Sequence, residues 1–362
     1  MGTMSNSSTT DLTGLRVVHA ANLHFVKDGS VYFNVDYKLT HGLIQSGCFV
    51  YPFSINDRAR MLSPTGSKTF GKSRVNKALI QTCRNVAPDV LLLGHAQYIS
   101  RATLLAIRDE LPDIRIGLWY IDPLWVPKDV QHLHDRSDLL DAIFATTGGG
   151  LLKRLSHPGC PAAFLPNPVE ASIERLRAFE NSHPKYDVVF IGSDKRAPER
   201  RKFLAELQEV LTDVRLGLFA CLGNPEVFGF DKERVLASSR MALNLSRKSD
   251  VELYSSDRIA QLTGNGLLVL TPEGAGLDQL YSSDEIVYFN DVDDLAARVK
   301  SLKENDEEAV RIAVNGWRKS HQVYSARNIA TFMIDLLIRR DSYANVPWAK
   351  HIYWDNDHAE AA

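Results

Sequence analysis

Two ionisable side chains follow predicted strands in the first half of the sequence, where a parallel sheet would place reactive groups. His95 follows an apolar run that ends at Gly94, and Asp122 follows one that ends at Tyr120. A carboxylate or an imidazole can accept the proton of an attacking hydroxyl. Pro123 disfavours the helical conformation for Asp122, which suits a fixed side chain. We predict Asp122 and His95 as catalytic residues. A turn-forming aspartate and a buried or capping histidine are the structural alternatives.

Polar residues near the first predicted strand are weaker candidates for binding the group that attacks. They are Asn22, His24 and Asp36.

A small, basic loop follows a predicted strand in the second half. Small residues let a ligand approach the backbone, and the cations Lys195 and Arg196 would offset the charge of a diphosphate. An ordinary solvated loop is the alternative. The predicted ligand contacts are Gly192, Ser193, Asp194, Lys195 and Arg196 in the loop, with Asn244 and Ser246 at the end of another strand.

Residues 254–271 have the pattern of a helix, a tight turn and a strand. Ser255 or Ser256 is a suitable N-cap, which would leave backbone N–H groups free for a phosphate. Arg258 would lie in the first turn, where the helix dipole disfavours a cation. This arrangement favours an anionic ligand at Arg258, the alternative being an ion pair with Asp257 or Glu252.

Strands alternate with amphipathic helical segments along the chain, which predicts two parallel sheets. The predicted strands are 15–20, 48–53, 90–94, 114–120, 142–146 and 162–165, then 187–192, 214–220, 241–246, 267–271 and 285–289. Pro166 and Pro168 interrupt the series between them. The sequence therefore predicts a disordered or expression-derived lead (1–14), two Rossmann-like domains (15–166 and 167–324), and a helix with an aromatic tail (325–362) that packs back on the first domain.

Composition restricts the class of protein. The 362 residues carry a formal net charge of -2, which gives no reason to expect a nucleic-acid partner. Four separated cysteines argue against a zinc site or a disulfide framework and fit a reducing cytoplasm. No apolar run reaches about 18 residues, and the N-terminus lacks the pattern of a signal peptide.

Two motifs match familiar sites in the wrong context. Residues 66–73 fit the P-loop pattern, but the segment before them is too polar for the strand that a P-loop must leave. Asp291 and Asp293 form a D-x-D motif, which holds a metal in some sugar transferases; here we expect it to cap a helix.

The second half resembles the C-terminal signature of group 1 glycosyltransferases and is most similar to their CgeB-like (spore-maturation-protein-like) branch. The resemblance covers most of residues 15–338. It is carried by Arg258 to Gly264, Gly266, the strand to Thr271, Gly274 to Asp278, Asp293 to Leu295 and Gly316, and upstream by Asn76, Pro88 to His95, Trp119, Asp122-Pro123 and Phe164 to Asn167.

The resemblance implies a GT-B fold with a nucleotide-sugar held mainly by the C-terminal domain and an acceptor held by the N-terminal one. It adds Gly264 and Asp278 to the donor-binding residues. Many relatives carry two glutamates in this signature, where this chain has Ile259 and Asp278. We therefore expect Arg258 and Asp278 to share the donor contacts differently.

These features predict a metal-independent glycosyltransferase without a cofactor, in which fixed cations and helix N-termini neutralise the leaving phosphate. The donor is an NDP-sugar or a CMP-linked keto-acid sugar, and the acceptor is a glycan, a lipid-linked group or a peptide. Asp122 or His95 would be the base of an inverting reaction. In a retaining reaction Asp122 would be a nucleophile or a stabiliser of the cationic sugar.

The predicted setting is the cytoplasm, with attachment to the inner face of the membrane left open, and a role in cell-surface polysaccharide synthesis. The alternatives are an ATP-dependent kinase or NTPase that uses residues 66–73, and a non-catalytic saccharide-binding protein.

Overall fold

The computed structural model describes residues 11–354, which form two parallel β-sheets flanked by helices. The first sheet has seven strands in the order β12-β6-β5-β4-β3-β1-β2, and β12 is antiparallel to its neighbour. Its strands are β1 (Arg16–Ala21), β2 (Phe49–Ser54), β3 (Val90–Gly94), β4 (Arg115–Tyr120), β5 (Ala142–Ala145), β6 (Ala162–Phe164) and β12 (Ile352–Tyr353).

Six helices connect the parallel strands of this sheet. They are α1 (Val35–Gln45), α2 (Ile55–Met61), α3 (Lys72–Val86), α4 (Arg101–Glu110), α5 (Pro127–His134) and α6 (Gly149–Lys153). The central strands are buried on both faces, which explains why β3 is apolar from Val90 to Leu93 and does not alternate.

The second sheet has five parallel strands in the order β11-β10-β9-β7-β8. They are β7 (Tyr186–Ile191), β8 (Leu216–Phe219), β9 (Ser239–Leu243), β10 (Leu268–Pro272) and β11 (Val287–Phe289). Its helices are α7 (Pro198–Val210), α8 (Gly229–Ala237), α9 (Arg258–Gly264), α10 (Val292–Glu304) and α11 (Asp306–Gln322). Each predicted strand is present in one of the two sheets, so the predicted α/β class with two Rossmann-like sheets is confirmed.

The chain crosses between the two sheets at two adjacent points. Val169 forms a parallel bridge with Ser325, where the amide of Val169 donates to Tyr324 and the amide of Ala326 donates to Val169. The next helix, α12 (Ala326–Leu337), then packs against α1 and the first sheet. The predicted return of the C-terminal helix to the first domain is thereby confirmed.

The segment after α12 also packs on the first domain. Trp348 is buried, and β12 pairs with β6. Of the predicted lead at residues 1–14, residues 1–10 lie outside the described residues, as do 355–362 of the predicted tail, while Leu12 is buried in the first core. The predicted domain boundaries lie beside the two crossings and stay predictions.

A buried ion cluster joins the two halves. Lys38 of α1 is fully buried, and its Nζ lies 2.6 Å from Glu174 Oε1 and 3.1 Å from Asp257 Oδ1. Burial lowers the pKa of Lys38, but the charges of Asp257 and Glu174 outweigh it and the net pKa is raised. Burial raises the pKa of Glu174 to about 7. The charge of Lys38 opposes this shift, and the negative charge of Asp257 adds to it. One ammonium thus lies between two carboxylates at the junction of the domains and can offset the charge of one of them.

Across residues 11–354, the helices are all too short or too polar to traverse a lipid bilayer.

Candidate active site

The carboxyl ends of β3 and β4 bring His95 and Asp122 together. His95 Nδ1 lies 3.5 Å from Asp122 Oδ2, and the His95 amide donates to the carbonyl of Trp119 at 3.0 Å. His95 and the following Ala96 have φ values of 57° and 46°, a left-handed conformation that non-glycine residues rarely adopt. Backbone strain of this kind is typical of functional sites. The two predicted catalytic residues therefore form a contact pair.

The pair shares its charge. Burial lowers the pKa of His95, but the hydrogen bond to Asp122 and the charge of Asp36 outweigh it, and the net pKa is raised above 6.5. The hydrogen bond to His95 lowers the pKa of Asp122 below its usual value of 3.8, although burial opposes the shift. Between these two pKa values the residues form an ion pair that holds one proton, and it can accept another proton from a substrate only after losing that one.

A cavity of about 510 Å³ opens in front of this pair. The predicted acceptor residues Asn22, His24 and Asp36 line it together with His95 and Asp122. The Asp36 carboxylate is buried and accepts hydrogen bonds from the amide of Asn22 at 3.1 Å and from Trp119 Nε1 at 3.0 Å. Asp36 therefore orders the wall of the cavity.

The second domain completes the same cavity. Asp257, the N-cap of α9, and Gln261, in the middle of that helix, line it opposite the first domain. A ligand bound there contacts both halves of the protein.

A second cavity of about 310 Å³ lies between the domains, and Asp122 lines both cavities. On the side of the second domain it is lined by Ser193, Arg200, Arg247, Tyr254, Ser256, Asp257 and Arg258. We call the three arginines of this set, Arg200, Arg247 and Arg258, the arginine cluster. Asp122 therefore stands between the first cavity and the arginine cluster.

Arg258 is held by neutral oxygen atoms. Its Nε donates to the carbonyl of Ile191 at 3.0 Å, and its Nη1 donates to the carbonyl of Leu245 at 2.9 Å and to Ser256 Oγ at 3.2 Å. Burial, reinforced by the charge of Arg200, lowers the pKa of Arg258 to about 9. A bound anion would offset both effects, because it stabilises the charged form of the guanidinium.

Arg200 and Arg247 complete the cluster. Arg200 is 9% exposed and donates to the carbonyl of Ser193 at 2.7 Å, while its buried Nε has no hydrogen-bond partner within the described residues. Arg247 is exposed in the loop after β9. Three cations around one cavity, one of them with an unused donor, make a site for a doubly charged oxyanion.

Several predicted donor residues contribute to this region indirectly. Gly192 makes room for the guanidinium, because a Cβ there would overlap Arg258 Nη2. Asn244 Nδ2 donates to Ser255 Oγ at 3.3 Å, and Ser246 Oγ accepts from the amide of Ser256 at 3.4 Å. Ser255 and Ser256, the two predicted N-caps, do not cap α9 through their side chains, since the N-cap is Asp257. The capping prediction is therefore wrong, although Ser256 does line the cavity.

The predicted basic loop turns away from the cavity. Lys195 is 77% exposed and its Nζ lies 3.5 Å from Glu226, and Arg196 is exposed too. Asp194 is buried in an ion pair with Arg201 at 3.0 Å and accepts from the amide of Leu222. Of the five loop residues, Ser193 lines the cavity directly.

Two residues implied by the family resemblance also lie elsewhere. Gly264 packs against Val169 and Glu174, where a Cβ would come within 2.9 Å of both side chains. Asp278 is exposed in a short 3-10 turn after β10. Ile259, at the first glutamate position of the relatives, is buried in the core.

The sequence reasoning missed Arg200, Arg247 and an aromatic contact between the domains. Trp125, in the loop after β4, meets Tyr254 edge to face with ring centroids 4.6 Å apart. Arg200 lies inside α7, where an arginine is ordinarily a solvated residue, but its proximity to the end of β7 was a usable signal. Arg247 directly follows the predicted site residue Ser246.

The structure shows the surroundings of the P-loop-like motif and of the D-x-D motif. Residues 66–71 form the loop between α2 and α3, and Lys72 and Ser73 begin α3, so the strand that a P-loop needs is replaced by α2. Asp291 is the N-cap of α10, and its side chain accepts from the amide of Asp294 at 2.8 Å. The capping interpretation of the D-x-D motif is confirmed.

Two Rossmann-like domains that face each other across a groove define the GT-B fold, and this chain has that fold. Residues 177–335 match a protein-family model described as glycosyl transferase-like. The second domain is therefore glycosyltransferase-like. No curated protein has a sequence that matches the chain.

Solved structures with the same architecture include sucrose-phosphate synthase from Thermosynechococcus elongatus, with 12% identity and a TM-score of 0.56 over 91% of this chain and 100% of that one. The apo structure of OtsA has 11% identity and a TM-score of 0.55 over 89% of this chain and 99% of that one. An α1,3-fucosyltransferase has 11% identity and a TM-score of 0.50 over 95% of this chain and 94% of that one. At these identities the likeness establishes the fold alone.

Proposed function

We propose that the protein transfers a sugar from a nucleotide-activated donor to an acceptor bound in the first cavity. One observation carries the proposal: Asp122 lines both the first cavity and the second cavity, which contains the arginine cluster. A candidate base therefore lies between the space for an acceptor and the cations that would hold a phosphate. The glycosyl transferase-like match of the second domain supports the same reaction class.

The donor is an NDP-sugar or a CMP-linked keto-acid sugar with its phosphate on the arginine cluster. As the bond from the anomeric carbon to the phosphate oxygen breaks, negative charge grows on that oxygen. Fixed guanidinium groups stabilise this charge without reorganising, which lowers the barrier. The three cations offer this stabilisation without a metal, so the proposed reaction is metal-independent.

The acceptor is a glycan, a lipid-linked group or a peptide that offers a hydroxyl in the first cavity. With His95 neutral, the Asp122–His95 pair takes up the hydroxyl proton as the oxygen attacks the anomeric carbon. The attack proceeds from the face opposite the arginine cluster, which gives inversion. The CgeB-like branch remains the proposed family position.

A thermal-shift panel tests this function against its rivals. One of the UDP-, GDP-, dTDP-, ADP- or CMP-linked sugars is expected to raise the melting temperature, with a stabilisation of about 2.7 kcal/mol at a hundredfold excess over Kd. Stabilisation by ATP with Mg²⁺ alone would favour the kinase hypothesis. Stabilisation by free saccharides alone would favour a binding protein.

Replacing Arg247 by alanine is expected to weaken donor binding roughly 10–100-fold, because a hydrogen bond to a charged group contributes about 1.5–3 kcal/mol. Isothermal titration with the sugar nucleotide chosen by the panel measures the change. Lys195→Ala is the matched control, since it removes a nearby cation that faces Glu226. Equal losses of donor affinity in Arg247→Ala and Lys195→Ala would mean that the arginine cluster does not bind the donor.

Replacing Gly192 by alanine is expected to displace the Arg258 guanidinium and raise the donor Kd roughly tenfold, with some loss of melting temperature because hydrogen bonds of Arg258 are broken. The new methyl would overlap Arg258 Nη2 and lie 3.0 Å from Phe190 Cζ, so the far ends of two side chains must shift while the backbone is not contacted. Gly150→Ala is the control, because a Cβ there meets nothing within 4 Å. An unchanged Kd in Gly192→Ala would exclude Arg258 from the donor site.

A further inference from the structure

The segment from α2 to the first turns of α3 is strongly basic, although the whole chain has a net charge of -2. Residues 55–77 contain one acidic residue, Asp57, and six basic ones: Arg58, Arg60, Lys68, Lys72, Arg74 and Lys77. Among the side chains that the structure describes, which are those of residues 11–354 except 128 and 129, no carboxylate oxygen lies within the 4.0 Å ion-pair distance of these six cations. Arg58 and Lys68 lie over the rings of Phe53 and Tyr98, but no described carboxylate offsets the charge of the six cations, which can therefore act on an anionic partner.

The one acid of the segment is turned inward. Asp57 is 3% exposed, and its carboxylate accepts from Ser54 Oγ and from the amide of Phe25 at 2.8 Å. The outer side of the segment is thus positive without compensation.

Large apolar side chains project from the same segment. Met61 is 80% exposed and Phe70 is 71% exposed, with Leu62 partly exposed beside Met61. Phe25, tied to Asp57 through its amide, is 53% exposed. We call Phe25, Met61, Leu62 and Phe70 with the six cations the basic–apolar surface.

The surface is preformed. A Cβ at Gly71 would overlap the carbonyl oxygen of Ala59, so the loop from α2 to α3 lies directly against α2. Arg74 Nη1 donates to the carbonyl of Leu62 at 2.8 Å and ties the other end of the loop to α3. The apolar side chains are therefore presented on ordered backbone.

We propose that the basic–apolar surface docks on a membrane that contains anionic lipids. Apolar side chains that project beside unpaired cations fit a lipid interface, because the former enter the acyl boundary while the latter pair with headgroup phosphates. A nucleic acid would use the cations and leave Met61 and Phe70 in water. This role also accounts for residues 66–73, whose lysines fit no nucleotide site in this fold.

The position of the surface gives docking a consequence. Phe25 begins a 3-10 turn, Phe25–Lys27; Lys27 at the end of this turn and His24 just before it line the first cavity. Docking therefore brings the mouth of that cavity to the membrane. If the first cavity binds the acceptor, as the proposed function states, its position at the membrane favours a lipid-linked acceptor over a soluble glycan or a peptide.

Cosedimentation of the full chain with phosphatidylcholine vesicles, with and without phosphatidylglycerol, tests the docking. Binding is expected only with phosphatidylglycerol and is expected to weaken in ~1 M salt. Arg60→Glu with Lys72→Glu should weaken binding by more than fivefold per site, since each cation near the surface contributes roughly fivefold. Adding Met61→Ser and Phe70→Ser to this variant should weaken its binding to the vesicles further.

Leu105→Ser with Lys300→Glu is the matched control, because it changes an exposed apolar residue and an exposed cation outside the surface. Stabilisation by the sugar nucleotide should be the same in every variant, which separates failure of docking from failure of the proposed function. Absent binding to anionic vesicles, or equal binding by the surface variants and wild type, would overturn the proposal.

Discussion

Asp122→Asn is expected to lower kcat by about 10²–10⁴-fold, the usual contribution of a general base. The amide keeps the shape of the side chain and cannot accept the hydroxyl proton. Turnover is measured as nucleotide release from the chosen donor, and the donor Kd should change little because the arginine cluster, which holds the phosphate, is intact. A variant with near wild-type kcat would remove Asp122 from the chemistry.

The pH profile assigns the proton within the pair. The raised pKa of His95 means that the pair holds a proton up to a pH above 6.5, so kcat should rise as the pH increases through that pKa. His95→Gln keeps a hydrogen-bonding partner for Asp122 and removes the titration. It is expected to move the acidic limb below the pKa of His95, toward the ordinary range of a carboxylate, because Asp122 also loses the hydrogen bond that lowers its own pKa, and to lower kcat by roughly tenfold through loss of basicity. If kcat rises at the same pH in His95→Gln as in the wild type, the proton lost in that rise is not held by the Asp122–His95 pair.

Lys38→Met is expected to cost about 3–5 kcal/mol of folding free energy, the usual effect of removing one partner from a buried ion pair. The substitution keeps the apolar stem and leaves Glu174 and Asp257 without their cation at the junction of the domains. Urea unfolding followed by fluorescence measures the shift of the midpoint.

The comparison variant is Lys300→Met, which removes an exposed lysine of α10 and should change the stability by less than about 0.5 kcal/mol. Adding Glu174→Gln to Lys38→Met should recover part of the loss, because it removes one of the two uncompensated acids. A loss below about 1 kcal/mol in Lys38→Met would mean that water or a rearrangement replaces the ammonium.

The fold could be predicted because its signal is local. Strands of a parallel sheet are buried on both faces, so runs such as residues 90–94 are apolar throughout, and the helices between them show one apolar face. Most predicted and observed strands differ by a few residues or fewer at their ends. The antiparallel β12 was missed, because a two-residue strand formed by the tail has no periodicity.

The site could be predicted where a residue follows a strand. Asp122 and His95 could be selected as candidates because parallel strands end at one edge of the sheet, and the structure brings them into contact there. The cations were harder to predict, since the direction of a side chain depends on its packing. Lys195 pairs with Glu226 outside the groove, whereas Arg200 lies further along the chain in α7 and returns to the groove from there.

Hydrogen exchange with and without the stabilising sugar nucleotide tests the central claim most directly, since it reports where the nucleotide is held. Slower exchange is predicted at residues 191–200 and 245–258, the segments that carry the arginine cluster, with residues 66–73 unchanged. Protection confined to residues 66–73, or none at the arginine cluster under saturating ligand, would contradict the account.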